Sequence, residues 1–145
     1  MLFRSNFLTY IKLESYLQAF VADNLDVLCL VDTRTHIPKD ISAFRALIKS
    51  HLGPGSSSYF GPALPYVSRM HTTAVGGHMF IKSARLNTPA THHSDPSGTG
   101  ACGTLSFHCG AADIMIATAY FPVPSSLDNG SLHSKLQRFL SSRSP

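Results

Sequence analysis

Asp26-Val27-Leu28-Cys29-Leu30-Val31-Asp32-Thr33-Arg34 is the stretch on which the reading of this chain turns. Its centre, Val27 to Val31, is apolar without alternation. A strand solvated on one face would alternate, so this pattern predicts a strand covered on both faces. The run stops abruptly in Asp32-Thr33-Arg34, which puts a carboxylate at the carboxyl end of a buried strand. Working outward, Ile11 to Asp23 places Leu13, Tyr16, Leu17, Phe20 and Val21 at three- and four-residue spacing, the mark of an amphipathic helix. On the other side Ile41, Phe44, Leu47 and Ile48 form one stripe of a second helix over Lys39 to His51. Pro38 stands before that helix and Gly53 after it, as start and stop signals.

Beyond Gly53 the character changes. Residues 53–58 read as a loop, and Tyr59-Phe60 as a short strand. Gly76-Gly77 lead into His78-Met79-Phe80-Ile81, a strand with a tight entry. Asn87 to Gly103 is rich in Pro, Thr, Ser, Gly and His and reads as an exposed loop. Leu105 to Cys109, a turn over Gly110 to Asp113, and Ile114 to Tyr120 read as a β-hairpin. Phe121 to Pro124 ends it, and a last helix is expected over Ser131 to Leu140. The order predicts one mixed α/β domain over residues 1–145, with helices covering at least one face of a sheet.

Composition narrows the classes. At 145 residues the chain is of single-domain size. Leu, Ile, Val and Phe make up about a quarter of it, which disfavours disorder. No apolar run reaches the roughly 18 residues of a membrane span. The start, MLFRSNFLTY, lacks a basic segment leading into an apolar one, so secretion is not expected. Cys29, Cys102 and Cys109 cannot all pair and form no CxxC, so reduced thiols in an intracellular protein, nuclear or cytoplasmic, are expected. The net charge of +4 is spread over scattered basic residues. It suits a polyanionic substrate and equally an ordinary mildly basic surface.

Four features carry candidate chemistry. Asp32 is placed either to cap the turn after its strand or to hold a hard cation such as Mg²⁺, which takes one or two carboxylates besides water and phosphate oxygens. Tyr120, in Thr118-Ala119-Tyr120-Phe121-Pro122-Val123-Pro124, ends a strand where prolines fix the backbone. Its phenol either donates to a phosphate oxygen or sits at the surface with its ring buried. Gly76-Gly77 permits close backbone approach, and no GxxxxGK[ST] follows to make a P-loop. His71, His78, His92 and His93 with Asp95 lack the spacing of a zinc site, and adjacent His92 and His93 point apart in an extended chain. No GxSxG elbow occurs.

In series, these pieces resemble the endonuclease/exonuclease/phosphatase superfamily, and within it the apurinic-type endonuclease domains of non-long-terminal-repeat retrotransposons. That family runs from a short strand ending in Asn through a helix to a hydrophobic strand ending in Glu-Thr and a basic residue. Leu2 to Asn6, the first helix and Leu28 to Arg34 follow the same order. A paired glycine opening a strand matches Gly76-Gly77, and a strand running into Tyr-x-Pro matches Ala117 to Pro122. The resemblance implies two packed β-sheets flanked by helices and Mg²⁺-dependent cleavage of nucleic acid, DNA in preference to RNA, with no membrane partner. It implies a metal on Asp32, Asn6 beside the metal-bound group, and Tyr120 at the scissile phosphate. Asp32 stands where Glu is usual and is one methylene shorter. The family's later motifs, Gly-Asp-x-Asn and Ser-Asp-His, are absent, and His36, His108 and His133 lie in no such motif. The resemblance is therefore to the N-terminal portion of the domain, with the C-terminal part missing. An unpaired sheet edge, low solubility and little autonomous cleavage are expected. Two other readings stay open: an inactive remnant that binds nucleic acid or another partner, and a phosphatase or lipid phosphodiesterase of the same fold.

Overall fold

A computed structural model describes residues 2–4, 8–67, 72–96, 100–120 and 137–143. The stretch that decides the fold is strand β2, Val27–Val31, buried from Leu28 onward. It lies in a four-stranded sheet with β1 (Leu2–Arg4), β3 (Ser57–Gly61) and β6 (His78–Lys82), in the order β1-β2-β6-β3. β1 runs parallel to β2, and the other pairings are antiparallel. Alternate residues of β2 and β6 enter different cores, which is why neither strand alternates in hydrophobicity.

On one face Leu28, Leu30, Met79 and Ile81 pack with two helices, α1 (Tyr10–Ala22) and α2 (Pro38–Leu52). The helices contribute Leu8, Leu13, Leu17 and Phe20 from α1 and its approach, and Phe44, Leu47 and Ile48 from α2. Thr9 caps α1, its hydroxyl accepting from the Lys12 N–H at 3.2 Å. Pro38 opens α2, Asp40 lies in its first turn, and Lys49 in its last, matching charge to the helix dipole. Gly53, at φ +87°, ends it.

On the other face Cys29 and Phe80 meet Leu105 and Phe107 of a second sheet. That sheet holds β7 (Ala90–Ser94), β8 (Cys102–Cys109) and β9 (Ala112–Ala119), in the order β7-β8-β9. The protein is thus α/β: two packed sheets, with helices outside the first. The helical residues 137–143 bring Phe139 against Ala101 and Cys102. Residues 131–136 of the predicted last helix lie outside the described residues.

Three departures from the sequence reading have physical causes. Asn87 to Gly103 is not an exposed loop, because β7 runs through it and pairs with β8 from Ala90↔Phe107 to Ser94↔Gly103. Loop-like composition hid a strand whose inward face is carried by small Ala90 and by a histidine, His92. The turn predicted over Gly110 to Asp113 is tighter, since the ladder continues to Cys109↔Ala112 and leaves only Gly110-Ala111 at the tip. Gly110 takes φ +62° there, as a two-residue hairpin demands. A hairpin of β4 (Leu64–Val67) and β5 (Thr72–Val75) was not anticipated. No helix among the described residues is long and apolar enough to cross a membrane.

Candidate functional site

β2 ends at Val31, and the next three residues reverse the backbone. Asp32 and Arg34 both adopt left-handed conformations, at φ +53° and +54°. Such angles are uncommon outside glycine, and two of them flanking one residue mark a locally strained turn. In this turn the side chains of residues 32 and 34 meet. Arg34 Nε donates to Asp32 Oδ1 at 3.2 Å and Nη2 to Oδ2 at 3.3 Å, a fork on both carboxylate oxygens. Asp32 is 2 % exposed and Arg34 39 %, so the anion lies inside and the cation reaches solvent.

The turn is pinned by its neighbours. Arg34 N–H donates to Gly76 O at 2.9 Å, and Leu8 N–H to Thr33 O at 2.9 Å. Ala63 N–H donates to Thr35 O at 2.8 Å. Gly76 and Gly77 are left-handed, at φ +76° and +84°. A Cβ on Gly77 would lie 2.6 Å from Thr33 Oγ1, so the paired glycines are what lets the two chains touch.

Tyr120 arrives from the second sheet. Its N–H donates to Ala101 O at 2.8 Å just past the end of β9, and its side chain hydrogen-bonds Arg34. The Arg34 guanidinium is held above its ordinary pKa, first by the hydrogen bond to Asp32 and further by that carboxylate's charge and by Tyr120. Asp32, Arg34 and Tyr120 therefore form one cluster at the rim where β2 and β9 end. Asn6 lies outside the described residues. Two buried polar atoms border the cluster in sequence and have no hydrogen-bond partner among the described residues: His36 Nδ1 and Thr118 Oγ1.

Immediately behind the rim is a feature that sequence reasoning missed. His78, 1 % exposed, points between the sheets. Its Nδ1 lies 2.9 Å from Gly100 O and its Nε2 2.8 Å from His92 Nε2. A carbonyl only accepts, so His78 Nδ1 carries the proton, His78 Nε2 accepts, and His92 Nε2 donates. Burial lowers the pKa of both rings, that of His92 to about 4, with His78 and His93 adding to the effect on His92. The four histidines were visible in the sequence, but spacing along the chain does not reveal a pair formed across two sheets. The outward His93 turns away from it, on the opposite side of β7.

The donor set decides what ion would fit. Among the described residues no three His, Cys, Asp or Glu side chains converge as a cage. A closed zinc site would need such a cage. A carboxylate with a phenol on its Arg34 partner is the donor type that suits a cation of the Mg²⁺ kind, which takes one or two carboxylates, keeps most of its water and shares substrate oxygens. Cys29 and Cys102 are buried thiols pushed up to about 11, chiefly by burial, and so are poor ligands and nucleophiles.

No protein-family model and no curated protein sequence matches the chain. Among solved structures it is similar to the endonuclease domain of TRAS1, a telomere-specific non-LTR retrotransposon, with a TM-score of 0.54 at 11 % identity. The match covers 99 % of this chain and 54 % of that one, so the chain spans about half the length of the solved domain. The likeness is one of fold.

Proposed function

We propose that this chain is a phosphodiester-directed, endonuclease-type module acting on nucleic acid, DNA in preference to RNA. The observation that carries the reading is the convergence of Asp32, Arg34 and Tyr120 at one rim of a fold shared with a retrotransposon endonuclease domain. In this reading Asp32 holds a Mg²⁺ ion, Tyr120 contacts the scissile phosphate, and Asn6 lies beside the metal-bound group. When bound, the ion supplies charge neutralisation for phosphoryl transfer, a reaction that needs mainly positioning and electrostatics. The chain's own contribution is to fix the carboxylate on a strand end and to aim the phenol and guanidinium at the same point. A complementary half of the domain, covering the outer edge of β9, completes the machinery.

A second reading has its own support: the cluster's only carboxylate is already neutralised by Arg34, and the chain spans about half the solved domain. Such a module binds nucleic acid without cutting it. Supercoiled plasmid with Mg²⁺ separates the two. Nicking by the wild type that Asp32→Asn abolishes supports the first reading. Gel-shift binding that weakens steeply with salt, with no nicking, supports the second. A chain that neither binds nor nicks refutes both.

A further inference from the structure

The Asp32–Arg34 pair is asymmetric in a way that the proposed function leaves unused. Its anion is sealed and its cation is the solvent-facing member. Both contacts, at 3.2 and 3.3 Å, are longer than the roughly 2.7–2.9 Å of a tight charge-assisted hydrogen bond. A guanidinium at a site mouth is also the group best shaped to take a phosphate through two parallel N–H donors. Asp32 and a phosphate therefore compete for one fork, while Arg34 and a divalent cation compete for one carboxylate.

We propose that Arg34 is a displaceable internal counter-ion that couples anion binding to cation binding at this site. With no anion bound, the guanidinium stands in for the cation and keeps Asp32 neutralised. A phosphodiester arriving at the rim draws the fork of Arg34 onto its own oxygens. Tyr120, already against Arg34, receives the anion beside it. Both Asp32 oxygens are then free, and a divalent cation takes them. The two ligands bind with positive cooperativity, and by thermodynamic reciprocity each strengthens the other by the same factor. The inference rests on the reading of Asp32 as the metal-holding residue, and it adds the device that weakens metal binding until phosphate is present.

The test measures binding rather than cleavage. Mn²⁺ is titrated calorimetrically into the full chain, with and without dimethyl phosphate, a stable phosphodiester that binds Mn²⁺ weakly by itself. For the wild type the anion is expected to tighten Mn²⁺ by about tenfold, within the range usual for coupled sites. Arg34→Gln is expected to bind Mn²⁺ tightly from the start and to ignore the anion. Asp32→Asn is expected to bind Mn²⁺ in neither condition, with circular dichroism confirming that each variant is folded. Arg34→Lys, which keeps the charge and loses the fork, is expected to retain only part of the coupling. Asp32-dependent Mn²⁺ binding by the wild type that is tight and indifferent to the anion would overturn the counter-ion proposal and leave the metal-holding reading standing. Folded Arg34→Gln that binds no Mn²⁺ would overturn both.

Discussion

The rim cluster and the histidine seam behind it are built from similar parts and solve opposite problems. Both place polar side chains next to the junction of two sheets. At the seam, His78 and His92 are neutral, matched donor to acceptor, and closed off by Phe80 and Tyr59. At the rim, Asp32 and Arg34 are charged, held by a left-handed turn, and open on the Arg34 side. The two share backbone. Gly76 and Gly77 carry the carbonyls that hold the Arg34 turn and lead straight into His78. Gly100 accepts from His78, and the next residue, Ala101, accepts from Tyr120. A neutral, mostly buried pair thus backs a charged pair that opens to solvent.

Acid should break the contrast most severely. The folded pair resists protonation while unfolded histidines titrate near 6.5, so between those values the unfolded chain binds more protons. Stability from the pair is therefore complete above about pH 6.5 and is lost progressively as pH falls toward 4, by an amount reduced by the partial exposure of His92. Asp95 sits where its charge favours the protonated form of His78 and moderates the effect, while Arg143 acts on His93 in the opposite sense. Urea midpoints measured from pH 7 to pH 4 check this. His92→Gln, which keeps an N–H donor for His78, should flatten the curve.

Crowding the seam comes next. A Cβ on Gly103 would lie 2.2 Å from His78 Nε2, and one on Gly61 2.0 Å from its Cε1. Gly103→Ala is expected to cost about 1–3 kcal/mol as overpacking, read as a lowered urea midpoint. Opening the rim should cost less. Arg34→Ala strands a buried carboxylate, but the lost partner is 39 % exposed, so about 1–2 kcal/mol is expected rather than the larger loss of a fully buried pair. Asp32→Asn in that background should recover most of it. The smallest effect belongs to a surface pair outside both regions: His108 and Asp113 face each other across β8 and β9. Asp113→Asn should shift stability by less than about 0.5 kcal/mol.

What the sequence disclosed follows the same division. Residues 27–31 announced a strand with two cores because both faces are apolar, and each helix showed its stripe and its punctuation. β7 stayed hidden because Thr91, His92, His93 and Ser94 are loop-like in composition, and only the fold turns His92 inward. At the rim, Asp32 and Tyr120 were each singled out from their strand-end positions, and a resemblance joined them in one site, since nothing in local spacing joins residues so far apart. Arg34 was not singled out because its link to Asp32 forms in a turn with positive φ at both residues. Such backbone angles at non-glycine residues are invisible to pattern reading.

The glycines that flank the His78 ring also impose an order on change. Either glycine can gain a side chain without a clash only after the imidazole has been replaced by something smaller, whereas shrinking the imidazole meets no clash. Once a larger residue occupies position 61 or 103, histidine can no longer return to position 78. The middle of the molecule therefore works as an evolutionary ratchet, in which three positions spread across three strands accept substitutions in one sequence and refuse them in the reverse.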